Sequence, residues 1–297
     1  MSKVKSIDLH FLNKEDAIAS YLVETSEGPI LIETGPHSTF SILKKALADK
    51  GYNPEDIKHV FITHIHLDHA GAAWKFAEHG AKIYLHPFGE RHMADPSKLM
   101  SSAKMIYKDD MDRLWGRMEA IPKECLCPIA HEDEVVIGDT VIKAWHTPGH
   151  ANHHIAWQIG EGLFTGDVAG VKINNGPVVA PCPPPDINLE KWQSSIDLIR
   201  KISPAVLYLT HFGAVTDIDK HLIALEKDLY QIAQIVKKYT DDGLDVPEME
   251  KRFIAYVNQE LSNYGLDQNA LEQYDAANPP FMGVAGLVRY WKKKNEL

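Results

Sequence analysis

The sequence predicts an α/β fold that is followed by a run of helices. Short β-branched segments alternate with amphipathic helical segments through the first two thirds of the chain. Beyond Thr216 the apolar residues recur only at helical spacing. Of the 297 residues, 44% are hydrophobic and 24% are charged, so the chain can bury a large core.

The strands are predicted where β-branched and aromatic residues are bounded by turn residues. These segments are residues 18–24, 29–33, 59–63, 82–85, 135–137, 141–145, 154–159, 163–165 and 205–209. The proline-rich stretch 177–185 predicts a stiff loop, because proline fixes its own φ angle.

The helices are predicted from apolar residues three and four positions apart. The first follows Ser38, its expected N-cap, and ends at Gly51. The others are residues 70–79, 189–201, 222–236, 248–261 and 281–294. Residues 95–130 lose the alternation and predict a helical insert near the functional site. We therefore expect an α/β domain at residues 1–215, with a helical region at residues 216–297 packed on it.

The charge balance excludes some classes of partner. The chain carries 31 Lys plus Arg against 41 Asp plus Glu, a formal net charge of -10, so we expect no nucleic-acid partner. No apolar stretch is long enough to span a bilayer, and the first residues lack the apolar core of a signal peptide. Three cysteines are too few for a disulfide framework, which favours a cytoplasmic protein.

The strongest functional motif follows the strand predicted at residues 59–63. The run Thr63-His64-Ile65-His66-Leu67-Asp68-His69 places four groups that commonly bind metals on six residues. One metal rarely uses all four, so the run favours two adjacent metals. Zinc suits imidazole and carboxylate ligands best, and iron and manganese are also compatible.

Further candidate ligands also follow predicted strands. His146-Thr147-Pro148-Gly149-His150, then Gly166-Asp167, then Thr210-His211 each come directly after a strand. Loops at one edge of a rigid sheet can hold such side chains in a preorganised site.

In combination, these motifs resemble those of the metallo-β-lactamase superfamily, over roughly residues 5–215. The resemblance implies a four-layer αββα sandwich of the metallo-β-lactamase type, with the metals at one edge between two sheets. It also implies a ligand set. The first metal would be held by His64, His66 and His150, the second by Asp68, His69 and His211, and Asp167 would bridge both.

Three histidines near these motifs fall outside the ligand pattern. We expect His146, His153 and His154 to orient the ligands or to line the pocket. One further departure is Glu33, which stands in Glu33-Thr34-Gly35 where the superfamily commonly has aspartate. A glutamate can still accept hydrogen bonds from nearby backbone.

The sequence therefore favours a hydrolase that acts on a small molecule. A hydroxide bridging the two metals would attack the carbonyl carbon of a thioester, ester or lactone, and Asp68 would orient it or receive its proton. Glyoxalase II members carry a Cys-Gly-basic-aromatic stretch after the bridging aspartate, and residues 168–175 depart from it. Glutathione thioesters are therefore disfavoured as substrates.

Other functions remain open at this stage. Sulfur dioxygenases of the same superfamily use one iron held by the counterparts of His64, His150 and Asp167, and two metals also suit phosphodiester cleavage. A protein that keeps its metals without efficient turnover is a third class. Trp291, Tyr290 and Phe281 would suit a subunit interface, which makes a homodimer a candidate assembly.

Overall fold

Residues 4–295 are described by a computed structural model, in which the strands form two six-stranded sheets. The first sheet follows the chain order β1 to β6, and the second has the order β12-β11-β10-β9-β8-β7. The first sheet contains β1 (Val4–Asp8), β2 (Ala19–Thr25), β3 (Gly28–Ile32), β4 (His59–Phe61), β5 (Lys82–Leu85) and β6 (Leu126–Pro128). The second contains β7 (Glu134–Ile137), β8 (Thr140–His146), β9 (Ile155–Ile159), β10 (Gly162–Gly166), β11 (Val206–Leu209) and β12 (Gly213–Val215).

The helices form two groups along the chain. The first group is α1 (Phe40–Ala48), α2 (Leu67–Ala70), α3 (Ala73–Ala77), α4 (Pro87–Ala94), α5 (Ser97–Tyr107) and α6 (Met111–Leu114). The second group is α7 (Leu189–Ile202), α8 (Ile218–Asp241), α9 (Val246–Asn263), α10 (Gln268–Ala277) and α11 (Pro280–Asn295).

Alternating side chains of the strands build the layers. Along β2 and its neighbours, successive side chains point to opposite faces, and both faces are buried. One face packs against the first helix group through Leu22, Leu31, Val60, Leu43 and Phe76. The other meets the second sheet through Tyr21, Ile32, Phe61, Trp157 and Phe164. The outer face of the second sheet packs on the second helix group through Leu163, Leu207, Trp192 and Leu225. These three interfaces confirm the predicted αββα sandwich with its C-terminal helices.

Hydrogen bonds also cross between the two sheets at one edge. The Ile155 amide donates to Thr63 O at 2.8 Å, and the Ala19 amide donates to Thr210 O at 2.8 Å. The indole N–H of Trp157 donates to Ile62 O at 3.1 Å. Thr63 and Thr210 directly precede predicted ligands, so these bonds fix the two sheets relative to each other beside the candidate site.

Several predicted elements differ from the observed ones. β1, β6, β12 and α10 were not predicted from the sequence. The helix expected at residues 70–79 is divided into α2 and α3, because the residues between them fold as a turn. Ser38 is not the N-cap of α1: Thr39 occupies that position, and the Ser38 hydroxyl donates to Leu114 O at 2.6 Å.

The stretch 95–130 is only partly helical. It contains α5 and α6, but its last residues form β6, which pairs in parallel with β5. Three residues are too few to show a strand pattern in the sequence. The division of the chain at residue 215 stays a prediction.

Two expectations about the surface bear on partners. Tyr290 and Trp291 are buried within their own chain, and the Trp291 indole donates to Ala233 O at 2.8 Å. They therefore offer no support for a subunit interface, and the homodimer stays a prediction.

Over residues 4–295, every helix is too short or too polar to traverse a bilayer. The cytoplasmic location also stays a prediction.

Gly149 shows how closely the loop of His150 packs on the second helix group. Its φ angle is +140°, and a Cβ placed there would lie 2.3 Å from Cα of Trp192. The Asn188 amide, at the start of α7, donates to Gly149 O at 2.9 Å. Only glycine fits between this loop and the helix.

Gly149→Ala should therefore lower the free energy of unfolding by about 2 kcal/mol or more, because backbone would clash with backbone. Urea denaturation measures the change. Gly160→Asn is the matched control, since Gly160 has a positive φ angle with open space around it. Equal stabilities of the two variants would contradict the packing argument.

Candidate metal centre

Four strand ends deliver the seven predicted ligands to one place. His64 and His66 follow β4, and Asp68 and His69 lie on α2 directly after them. The other three ligands follow β8, β10 and β11: His150, Asp167 and His211. The structure thus brings together all seven side chains that the sequence singled out, and metal binding by them stays a prediction.

Three imidazoles converge on one point. Nε2 of His64 and Nε2 of His150 lie 2.9 Å and 3.1 Å from Nδ1 of His66. Nε2 of His150 also lies 3.2 Å from Oδ2 of Asp167. The three ring nitrogens form a group whose members all lie within 4.8 Å of one another. This is the geometry of donors that face a common cation.

A second group lies on the other side of Asp167. Nε2 of His69 and Nε2 of His211 lie 3.3 Å and 3.4 Å from Oδ1 of Asp167. Oδ2 of Asp68 lies 3.6 Å from the same His69 atom and 3.5 Å from the same His211 atom. Since its two oxygens face different groups, Asp167 can bridge two metal ions.

The donor atoms fit metal ions for a further reason. Among residues 4–295, Nε2 of His69, Nε2 of His211 and Oδ1 of Asp167 are buried and have no hydrogen-bond partner. A buried polar atom without a partner is costly, and a divalent cation would satisfy all three at once. His66 and Asp68 are only half-buried, so the cluster opens to solvent on their side.

The opposite ring nitrogens of the ligands are held by oxygen acceptors. Nδ1 of His150 lies 2.9 Å from Pro181 O, and Nδ1 of His211 lies 2.6 Å from Ala17 O. These contacts place the proton on Nδ1, which leaves Nε2 as a lone-pair donor directed at the centre.

Glu33 holds His69 in the same way. Its Oε1 lies 3.1 Å from Nδ1 of His69 and also accepts hydrogen bonds from the hydroxyls of Thr63 and Thr210. The Glu33 side chain is 1% exposed and its φ angle is +64°, in the left-handed region. The hydrogen bond predicted between Glu33 and nearby backbone is present but long, since the Thr63 amide lies 3.4 Å from its Oε2. Its main role is to orient His69.

The three other predicted histidines are placed differently from one another. His154 accepts from the Asp167 amide at 3.3 Å and contacts the Thr147 hydroxyl at 2.8 Å, so it supports a ligand. The His153 ring lies 5.6 Å from the His66 ring, on the side where the cluster is half-buried. His146 lies apart: its Nε2 donates to Ile129 O at 2.9 Å, and its ring packs 4.1 Å from His86.

The two groups differ in their protonation. Burial lowers the pKa of His64 well below its usual value, and it lowers the pKa of His66 to about 3. For His69, burial is outweighed by the carboxylates of Asp167, Asp68 and Glu33, which raise its pKa well above its usual value. For His211, Asp167 and Asp68 likewise outweigh burial and raise the pKa. Burial thus favours the neutral rings of the first group, whereas the carboxylates around the second group favour protonation of His69 and His211.

One residue of the pocket was missed by sequence reasoning. Burial, and to a smaller extent the charge of Asp68, raises the pKa of Tyr107 at the end of α5. Its ring packs edge-on against Trp115 and Phe281. The helical pattern of residues 95–130 placed a helix here but gave no sign of which side chain faces the site.

Comparison with known proteins decides the family. The family model described as Metallo-beta-lactamase superfamily matches residues 13–211, about two thirds of the chain and all seven candidate ligands. The chain belongs to the metallo-β-lactamase superfamily.

Several members of this superfamily are similar to the chain in sequence. A metallo-beta-lactamase fold-containing protein of Sulfurisphaera tokodaii is 26% identical over 174 residues, which cover 57% of this chain and 66% of that protein. An N-acyl homoserine lactonase of Bacillus cereus is 29% identical over 163 residues, covering 45% of this chain and 54% of the lactonase. The chain thus spans between about half and two thirds of the length of these relatives.

The fold is shared over the full length with a solved structure. A metallo-beta-lactamase family protein from Thermus thermophilus superposes with a TM-score of 0.71 at 19% identity, covering 99% of this chain and 94% of that one. The C-terminal helices are therefore part of a fold that other superfamily members also have.

Glu33→Gln should weaken metal binding about 10- to 100-fold, because an amide cannot hold the His69 ring as a carboxylate does. Competition with a chromophoric chelator measures the affinity. Glu27→Gln, on the exposed β2–β3 turn, is the matched control and should bind metal like the unaltered protein. Equal affinities of the two variants would remove Glu33 from its orienting role.

Metal binding should release protons, because the raised pKa values of His69 and His211 favour protonated rings, and Nε2 must lose any proton before it can bind a cation. The metal affinity should therefore fall as the pH is lowered below neutrality. Calorimetric titrations in two buffers with different protonation enthalpies count the protons. A binding enthalpy that is the same in both buffers would show that these rings are already deprotonated.

Proposed function

We propose that the protein is a dinuclear metal-dependent hydrolase that cleaves a small-molecule carbonyl compound, namely a thioester, ester or lactone. The observation that carries the proposal is the position of Asp167 between two groups of buried donor atoms. His64, His66 and His150 would hold one ion, and Asp68, His69 and His211 the other. Zinc is the proposed metal, because imidazole and carboxylate donors at four strand ends suit it.

The bound ions would supply an activated water and a Lewis acid for the carbonyl oxygen. Asp68 lies on the open side of the cluster, and its charge is maintained because His69 and His211 outweigh burial and lower its pKa to about 2. Its carboxylate would therefore orient the water or receive its proton.

We propose Tyr107 as the residue that interacts with the leaving group of the substrate. Burial keeps its hydroxyl protonated at neutral pH, so it can donate a hydrogen bond to an oxygen or sulfur that gains charge. The rings of His153 and Phe281 would form the adjacent pocket wall. Lactones are the first substrates to test, because relatives such as the Bacillus cereus protein are named as N-acyl homoserine lactonases.

The test combines metal analysis with a substrate panel. The protein, purified without added metal and then loaded with zinc, is assayed on N-acyl homoserine lactones, acyl thioesters, β-lactams and phosphodiesters. We expect about two metal ions per chain and turnover of a carbonyl substrate. Asp167→Ala should lose both metal and activity, whereas Asp49→Ala, an exposed aspartate beyond α1, should lose neither.

The same experiment separates the alternatives. One iron per chain, with oxygen uptake on a persulfide, would replace the hydrolase with a sulfur dioxygenase-like activity. Hydrolysis of phosphodiesters alone would assign a phosphodiesterase. Full metal loading without turnover of any compound in the panel would contradict the hydrolase proposal.

A further inference from the structure

A large cavity lies outside the metal centre, among the C-terminal helices. It has a volume of about 490 Å³ and is enclosed by α8, α9, α10 and the loop of residues 172–180. Among the described residues, its lining includes none of the seven candidate ligands. The apolar part of its wall comes from residues such as Val178, Ile232, Phe253, Val257 and Leu261.

His221 presents an unsatisfied acceptor in this lining. Its Nε2 lies 2.7 Å from Ala169 O and donates to it, so Nδ1 carries a lone pair. The residue is 3% exposed, and Nδ1 is buried without a hydrogen-bond partner among residues 4–295. Burial, with Lys172 nearby, lowers its pKa to about 4, so the ring is neutral at physiological pH. A buried acceptor without a partner points to a donor that the chain itself does not supply.

Asp228 presents a second acceptor on the same helix face. It follows His221 by seven residues on α8, which places the two side chains two turns apart, roughly 10 Å along the axis. One carboxylate oxygen, Oδ2, accepts from the Ala180 amide at 2.7 Å. No cationic side chain of residues 4–295 forms an ion pair with it. Burial and the nearby Glu260 raise its pKa to about 7, and Lys220 and Lys227 also line the cavity without pairing with it among the described residues.

Asp228 and His221 have different neighbours in the cavity wall. Aromatic rings of Tyr256, Tyr274 and Phe253 lie in the wall with Asp228, and a carboxylate beside aromatic faces is a common environment for an organic ammonium group. At the other end, Lys172 acts on His221. A second ammonium group is therefore disfavoured there, and a neutral donor is favoured.

We propose that this cavity binds a small organic amine whose ammonium group pairs with Asp228 and whose neutral O–H or N–H group donates to Nδ1 of His221. The body between the two groups is apolar or aromatic and packs against the cavity wall. The ligand is distinct from the substrate of the metal centre, so this site does not depend on the proposed function.

The cavity is connected to the metal centre through one loop. Asp167 lies at the start of this loop, and Pro181, whose carbonyl holds His150, lies at its end. Between them the C-terminal helices hold the loop through His221 on Ala169 O and Asp228 on the Ala180 amide. Both acceptors therefore contact the loop directly, and a bound amine would restrict its motion.

Tyramine is a suitable probe, because it carries an ammonium group and a phenol hydroxyl at opposite ends of an aromatic body. Calorimetry with the full, metal-loaded chain should show binding of tyramine. Phenethylamine, which lacks the hydroxyl, should bind several-fold more weakly, and 4-ethylphenol, which lacks the ammonium group, about ten-fold more weakly or worse.

Two variants test the assigned contacts. Asp228→Asn keeps the shape and should reduce tyramine affinity about ten-fold or more, while Asp219→Asn, exposed on the same helix, should leave it unchanged. His221→Leu removes the Nδ1 acceptor, so the folded variant should bind tyramine and phenethylamine equally.

A second measurement does not depend on the variants. Amide hydrogen exchange of residues 172–180 should slow when tyramine is added to the unaltered protein. Absence of tyramine binding, equal binding of 4-ethylphenol, or full affinity of a folded Asp228→Asn variant would each overturn the proposal.

Discussion

The gathering of five imidazoles and two carboxylates, most of them buried, in one small volume is the constraint on which the rest of the structure depends. Unsatisfied, such a cluster would destabilise the fold, because each buried polar atom needs a partner. Asp167 lowers this cost because its two carboxylate oxygens face different groups. Its Oδ2 lies 3.2 Å from His150, and its Oδ1 lies 3.3 Å from His69. The donor atoms that stay unsatisfied are the ones that metal ions would bind. The same buried atoms therefore make the metal-free cluster costly and suit it to the proposed metal binding.

The sandwich provides the rigidity that this cluster requires. The ligands follow strands of the two packed sheets, and oxygens such as Pro181 O and Glu33 Oε1 fix the far side of the rings. Tyr107, in the segment after β5, and Phe281, on the C-terminal helices, lie outside the strands that position the ligands. Substitutions in these two parts would therefore leave the strand ends that carry the ligands in place.

Much of this arrangement could be predicted from the sequence, for a physical reason. The ligands lie within a few residues of strand ends, and strand ends are visible as the points where β-branched runs stop. The His-rich run after Phe61 and the Gly166-Asp167 step are of this kind. Short pairing partners such as β6 and β12 carry too few residues for a pattern, and α10 has only a weak apolar stripe. Contacts between distant segments, such as Tyr107 with Phe281 or His221 with Ala169, depend on packing that no local pattern encodes.

The hydrogen bonds that join the two sheets have a consequence for how the protein loses its function. The Thr63 and Thr210 carbonyls accept from Ile155 and Ala19 of the opposite sheet, and each lies next to a ligand histidine. Fraying of a terminus or a surface helix leaves these bonds intact. We therefore expect the arrangement of the seven candidate ligands to persist until the two sheets separate in the cooperative unfolding transition. It should be lost in that same transition.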